Sequence, residues 1–147
     1  MYRGILFSIM AGLFIAVQGI FNTRVSDKIG FWEANTFVKG TAFLFALIIT
    51  LISGKGNFSN ITQINKVYLL GGVMGAIIVF GVMKGITYIG ATNAVTLIIV
   101  SQIICALIIN SLGLFGENKL SITPIKVLGL AFMFVGIILF QFKGLSE

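Results

Sequence analysis

Long apolar runs alternate with short polar segments along the whole chain. A transmembrane helix needs about 20 mostly apolar residues, and five runs reach or approach that length. They cover approximately residues 4–22, 31–53, 67–88, 92–115 and 125–142. We therefore predict an all-α membrane protein in which residues 1–147 form a single domain of five transmembrane helices.

Short polar segments between the runs predict where the chain turns. Residues 23–30 form the first predicted turn, residues 54–66 the longest loop, and residues 116–124 the last connection. Gly90 and Asn93 mark a short turn between the third and fourth spans. Pro124, the only proline, suits the first turn of a helix, where its missing N–H costs nothing. The first run is too long for a typical signal-peptide core, so we expect a retained helix.

The amino-acid composition excludes a soluble protein. Hydrophobic residues make up 58% of the chain and charged residues 10%, with a mean hydropathy of +1.10. A soluble domain typically carries about 25% charged residues to cover its surface. The net charge of +6 comes from basic residues spread along the chain, mostly at the ends of apolar runs. This distribution is typical of interfacial anchors in membrane lipid and does not indicate nucleic-acid binding.

The residues that usually carry metal and acid–base chemistry are scarce in this sequence. The chain has no histidine and one cysteine, Cys105, so an internal disulfide cannot form. The usual ligand patterns for zinc, iron–sulfur clusters and haem attachment are absent. We predict no metal site, no cofactor and no histidine-dependent catalysis.

Basic residues give only a weak orientation signal. Five spans place the termini on opposite sides of the membrane, and the positive-inside rule then selects the orientation. The basic residues divide evenly: Arg3, Lys55, Lys66, Lys119 and Lys126 on one side, and Arg24, Lys28, Lys39, Lys84 and Lys143 on the other. Without Lys39 and Lys84, which lie within predicted spans, the division is five against three. So weak a bias favours insertion in both orientations, and one fixed orientation remains the alternative.

Side-chain amides and charges occur inside the predicted spans, where they are costly and usually face a partner or a water-filled cavity. Gln18 and Asn22 lie one turn apart on the first span and share a face. Asn35 and Lys39 have the same spacing on the second span, which begins near Glu33. Lys39 would lie about 12 Å into this span at ~1.5 Å per residue. The candidate substrate-pathway residues are Gln18, Asn22, Glu33, Asn35, Lys39 and Gln102.

These polar residues also have interpretations that involve no substrate. Lys39 can extend its aliphatic stem along the helix and leave its charge at the interface. Gln18, Asn22 and Gln102 can hydrogen-bond to neighbouring helices, which is worth about 1 kcal/mol or less per bond. Both interpretations stay open on the sequence alone.

Four glycines in the third span form two G-x-x-x-G pairs, which are Gly71 with Gly75 and Gly81 with Gly85. Small residues four apart let two helix backbones approach closely. The two pairs point in different directions, since ten residues advance a helix by about 1000°, equivalent to about 280°. We predict that these glycines pack against neighbouring helices, without assigning which ones.

Several short motifs stand out in two parts of the chain. Residues 86–116 contain Gly90-Ala91, Ser101-Gln102 and the run Leu112-Gly-Leu-Phe-Gly116. Earlier in the chain lie Gln18-x-x-x-Asn22-x-Arg24 and Trp32-Glu-Ala-Asn35. Together these motifs resemble the five-helix YdcZ-type family of the drug/metabolite transporter (DMT) superfamily, and the resemblance covers nearly the whole chain.

The resemblance implies a multi-pass protein of the bacterial inner membrane with the helix bundle of the drug/metabolite transporters. Single five-helix units of this kind are expected to work as antiparallel homodimers or with an oppositely oriented paralogous subunit. Either pairing creates an inverted repeat, which permits alternating access. This expectation agrees with the weak charge bias.

The chain also departs from related patterns. Many family members carry an acidic residue where this chain has Asn110. The related small multidrug resistance proteins have a glutamate in the first helix, where this chain offers Gln18. A proton-coupled multidrug mechanism therefore does not carry over directly. Glu33 is the remaining candidate for a titrating group, because burial disfavours the charged form of a carboxyl group.

The combined prediction is a small transporter subunit, assembled as a dual-topology antiparallel dimer, that moves a small metabolite or ion by alternating access. The alternative is an accessory or scaffold membrane subunit that transports nothing. An enzyme is not predicted, because the sequence shows no nucleophile–base pair, metal-ligand cluster or glycine-rich phosphate loop.

Overall fold

The computed structural model describes residues 2–117, 119 and 123–142, and the described residues are almost entirely helical, with no strand among them. The long helices are α1 (Tyr2–Ile29), α2 (Phe31–Ser53), α3 (Gly71–Ile89), α4 (Ala91–Leu112) and α5 (Pro124–Phe142). Three short 3₁₀ turns accompany them, at Phe58–Gln63, Lys66–Leu70 and Leu114–Gly116. The prediction of an all-α membrane protein is confirmed.

The end of α1 differs from the sequence prediction. The predicted polar turn at residues 23–30 is wrong, because α1 continues as a helix to Ile29. The hydroxyl of Thr23 donates to the carbonyl of Gly19, and the hydroxyl of Ser26 donates to the carbonyl of Thr23. Such local bonds satisfy hydroxyl groups within a helix and let polar residues continue it.

Glycines at positive φ connect consecutive helices through single residues. Gly30 lies between α1 and α2 with a φ of 97°, a conformation that strains residues with a Cβ. Its N–H donates to the carbonyl of Ser26 at 2.9 Å, and its carbonyl accepts from the N–H of Ala34 at 3.0 Å. Gly90 joins α3 to α4 in the same way, with a φ of 79°. Both helix pairs therefore follow each other without a loop.

Length and composition allow four of the described helices to cross a membrane. These are Tyr2–Ile29, Phe31–Ser53, Lys66–Ile89 and Ala91–Leu112, and Pro124–Phe140 is a shorter apolar helix. Large apolar side chains point outward all along them, including Phe7, Leu13, Leu51, Phe132 and Leu139. Lipid accepts such surfaces because it acts as an apolar solvent, while the helices satisfy their own backbone groups.

The first of two compact units, Met1–Ala91, contains α1, α2 and α3. Its core is small and consists of Ala34 from α2 with Val79 and Met83 from α3. Val25 of α1 and Phe31 of α2 pack against this core from its edge. All three helices therefore meet around one short stretch of α3.

The second compact unit, Thr92–Glu147, contains nearly all of α4 and the whole of α5. A groove of about 200 Å³ runs between the two helices and is lined only by apolar side chains. Ile104 and Leu107 belong to its α4 side, and Val127 and Leu130 to its α5 side. Among the described residues of this unit, the buried ones are the apolar Ala94 and Val100.

Candidate functional site: polar groups among the first three helices

The buried face of α1 consists of small and polar residues. Gly19, Asn22, Thr23 and Ser26 are the buried residues of this helix. Their spacing of i, i+3, i+4 and i+7 places them on one side of the helix. Asn22, a predicted pathway residue, is only 7% exposed, so its amide lies inside the unit.

Gly19 allows α1 to approach α3 closely. A Cβ at this position would lie 3.0 Å from Cγ1 of Val82 and 3.1 Å from Cδ1 of Ile86, which is tighter than ordinary van der Waals contact. This contact was not predicted, because in the sequence only the glycine pairs of the third span pointed to close packing. The available signal was the run of small and polar residues at helical spacing that begins at Gly19.

Asn35 links α2 to α3 directly. Its side chain is 2% exposed, and its Nδ2 donates to the carbonyl of Ala76 at 2.8 Å. Its Oδ1 is buried and accepts no hydrogen bond from the described residues. An unsatisfied buried acceptor typically costs about 1–3 kcal/mol. The free acceptor therefore favours a donor group entering between these helices.

Lys39 lies one turn beyond Asn35 and faces the same stretch of α3. The residue is half-buried, and a Cβ added to Gly75 would lie 2.9 Å from its Nζ. Gly75 therefore leaves room for the ammonium group against the backbone of α3. The structure brings Asn35 and Lys39 together over the neighbouring positions Gly75 and Ala76.

The other three predicted pathway residues are exposed. Gln18 lies on α1 outside its buried face, and Gln102 lies on α4 in the second unit. Glu33 is also exposed, and its role as a titrating group stays a prediction. Its carboxylate lies against Gly30, where an added Cβ would collide with it. A carboxylate in the first turn of α2 interacts favourably with the helix dipole, which accounts for its position.

The predicted packing glycines of α3 occupy different surroundings. Gly75 lies against the Lys39 ammonium group, and Gly85 is half-buried. A Cβ at Gly71 or Gly81 would meet nothing within 4 Å. Close packing at Gly71 and Gly81 stays a prediction.

Aromatic rings surround the ammonium group of Lys84, an arrangement that the sequence analysis did not foresee. Its Nζ lies 4.0 Å from the ring centroid of Phe31 and 5.4 Å from that of Tyr88. Phe80 stacks on Trp32 with ring centroids 4.5 Å apart and meets Phe31 edge to face at 6.0 Å. Cation–π attraction of this kind is worth about 0.5–2 kcal/mol depending on exposure. It joins the start of α2 to α3.

The described residues offer no group of three or more acidic, cysteine or histidine side chains that could hold a metal ion. The cation near the buried amide of Asn35 is Lys39, one turn along α2. The site can therefore bind polar groups through the Asn35 amide oxygen as an acceptor and the Lys39 ammonium group as a donor.

Comparison with known proteins identifies a protein family. A family model described as "Putative inner membrane exporter, YdcZ" matches residues 4–139 of the 147. Searches of the curated proteins and of the solved structures each found no match.

Proposed function

The chain belongs to the YdcZ family, and we propose that it is a transporter subunit that moves a small metabolite or ion by alternating access. The family match agrees with a multi-pass inner membrane protein that has at least four helices able to span the bilayer. The substrate, the alternating-access cycle and the antiparallel pairing belong to the proposal.

One structural observation supports this proposal in addition to the family match. Asn35 keeps a buried, unpartnered acceptor between α2 and α3, one turn from the half-buried Lys39. Polar groups inside a membrane protein are costly and usually mark the path of a solute or ion. A donor on the solute would bond to Asn35 Oδ1, while Lys39 would attract an acceptor or an anion.

Antiparallel pairing would explain how one short chain reaches two states. Two copies in opposite orientations form an inverted repeat, and exchange of their conformations opens the path to alternate sides. The even division of basic residues supports insertion in both orientations. An oppositely oriented paralogous subunit would serve equally well in place of a second copy.

Cysteine accessibility in intact cells tests the pairing. Cys105→Ala removes the only native thiol, and Asn60→Cys then places one thiol in the exposed loop between α2 and α3. Labelling of about half the folded protein by a membrane-impermeant reagent is expected for dual topology. Complete labelling or none would show one fixed orientation and exclude the antiparallel homodimer.

Export itself is tested by the metabolites that expressing cells release. We expect Lys39→Gln to abolish the difference in released metabolites between cells that express the native chain and cells that do not. Lys126→Gln is the matched control, because Lys126 is exposed at the start of α5. Glu33→Gln tests the titrating-group hypothesis separately through the pH dependence of export. An unchanged release profile in native and empty cells would contradict the exporter function.

A further inference from the structure

A recess of about 380 Å³ lies between α1 and the end of α3, apart from the Asn35–Lys39 pair. Small-molecule pockets commonly measure about 300–1,000 Å³, so the recess would take a solute at the small end of that range. Its polar side chains are Thr23, Arg24, Asp27 and Thr87. Ile20 and Ile86 supply apolar walls.

The two charged groups of the recess are only loosely paired. Nη1 of Arg24 lies 3.6 Å from Oδ2 of Asp27, whereas a charge-assisted hydrogen bond measures about 2.7–2.9 Å. The Arg24 side chain is 80% exposed and that of Asp27 40%. A guanidinium group has five N–H donors and a carboxylate has two oxygens, so both keep capacity for a ligand.

The two threonines can only accept hydrogen bonds from a solute in the recess. Thr23 Oγ1 donates its proton to the carbonyl of Gly19 at 2.8 Å, and Thr87 Oγ1 donates to the carbonyl of Met83 at 2.9 Å. A hydroxyl has one donor, and what remains on each oxygen is acceptor capacity. Donors in the recess are therefore concentrated on Arg24, and acceptors on Asp27 and the threonines.

We propose that this recess binds a small zwitterion of the amino-acid type. Its carboxylate would bond to the guanidinium of Arg24, a pairing with favourable bidentate geometry. Its ammonium group would donate to Asp27 and to the two threonine oxygens, and a short apolar side chain would lie against the isoleucine walls. The inference rests on the proposed transporter function and names the substrate class that it would carry.

Calorimetric titration of the full-length protein in lipid nanodiscs tests the proposal with matched probes. L-Leucine is compared with 3-methylbutylamine, which lacks the carboxylate, and with 4-methylpentanoate, which lacks the ammonium group. We expect saturable binding of L-leucine and affinities about 10–100-fold weaker for both analogues, because each loses bonds to a charged partner. L-Alanine is run in parallel to test whether a smaller side chain is accepted.

Single substitutions test which residue binds the carboxylate of L-leucine and which binds its ammonium group. Arg24→Gln is expected to weaken L-leucine binding about 10–100-fold and Asp27→Asn to do the same. Arg24→Lys should fall between, because it keeps the charge but loses the planar fork. Lys28→Gln is the control, since it removes an exposed cation from the same helical turn outside the recess. Circular dichroism checks that each variant keeps its helix content.

Several results would overturn the proposal. These are no saturable binding of either amino acid, analogues that bind as well as L-leucine, or unchanged binding by Arg24→Gln. Counterflow in proteoliposomes separates this inference from the transporter function. If L-leucine binds but is not moved across the membrane, the binding site is supported and the transporter function is contradicted. If another solute is moved but no zwitterion binds, the transporter function is supported and this binding site is contradicted.

Discussion

Asn35 on α2 and Gln102 on α4 show how differently two similar amides are placed in this protein. Both lie in strongly apolar runs. Asn35 is buried and donates across to the backbone of α3, whereas Gln102 is exposed. The hydroxyls of Thr96 and Ser101 on α4 donate to carbonyls of their own helix. A polar residue in an apolar span therefore does not by itself mark an interhelical contact.

The two compact units also differ in whether specific side chains connect their helices. The first unit has a buried core at Met83, a glycine contact at Gly19 and an interhelical hydrogen bond from Asn35. The second unit has apolar grooves between α4 and α5. We infer that the stability of the first unit depends on particular side chains, and that matched substitutions in the second unit have smaller effects.

The largest expected difference is between Met83→Ala and Met133→Ala. Met83 is 0% exposed in the core, whereas Met133 of α5 is 40% exposed. Removing a buried methionine costs about 2–5 kcal/mol through lost contacts and a residual cavity. We expect less than about 1 kcal/mol at Met133. The free energy of unfolding is measured by detergent titration in mixed micelles, and equal losses would remove the distinction between the units.

Gly19→Leu tests the close approach of α1 and α3. The added side chain would meet Val82 and Ile86 immediately, so we expect a loss of about 1–3 kcal/mol from overpacking. Gly129→Leu on α5 is the control, because a Cβ there meets nothing within 4 Å. The same unfolding titration compares the two variants. A neutral Gly19→Leu would show that the two helices can separate freely.

Asn35→Ala is expected to cost about 1 kcal/mol. Interhelical hydrogen bonds in membrane proteins average about 0.6 kcal/mol and reach about 1.7, and loss of the side chain also removes an unpartnered acceptor. Gln102→Ala should change stability by less than about 0.5 kcal/mol, because the side chain is exposed. A larger effect at Gln102 than at Asn35 would reverse the comparison between α2 and α4.

Lys84→Gln should have the smallest effect, about 0.5–1 kcal/mol, from loss of the cation–π contacts. Trp32 is the only tryptophan and stacks on Phe80, so its fluorescence reports on the aromatic cluster. We expect a shift in Trp32 emission in Lys84→Gln but not in Lys126→Gln. Unchanged emission in both variants would show that Lys84 does not order the rings.

The sequence was a good guide where a property depends on neighbours along the chain. The run of residues 31–53 matches α2, and the spacing of Asn35 and Lys39 places them on one face that contacts α3. It misled at residues 23–30, where hydroxyl side chains bond within the helix and extend α1. The position of the Glu33 carboxylate, which turns back to Gly30 at the start of α2, was not predicted.

The membrane class, the helical runs and the amide positions followed from the sequence alone, because they depend on hydropathy and on the period of a helix. Which amide crosses to another helix was decided only by tertiary structure, since Ala76 lies far along the chain from Asn35. The aromatic cluster around Lys84 and the recess at Arg24 arise in the same way. Each joins residues from different helices, and no local pattern encodes which helices meet.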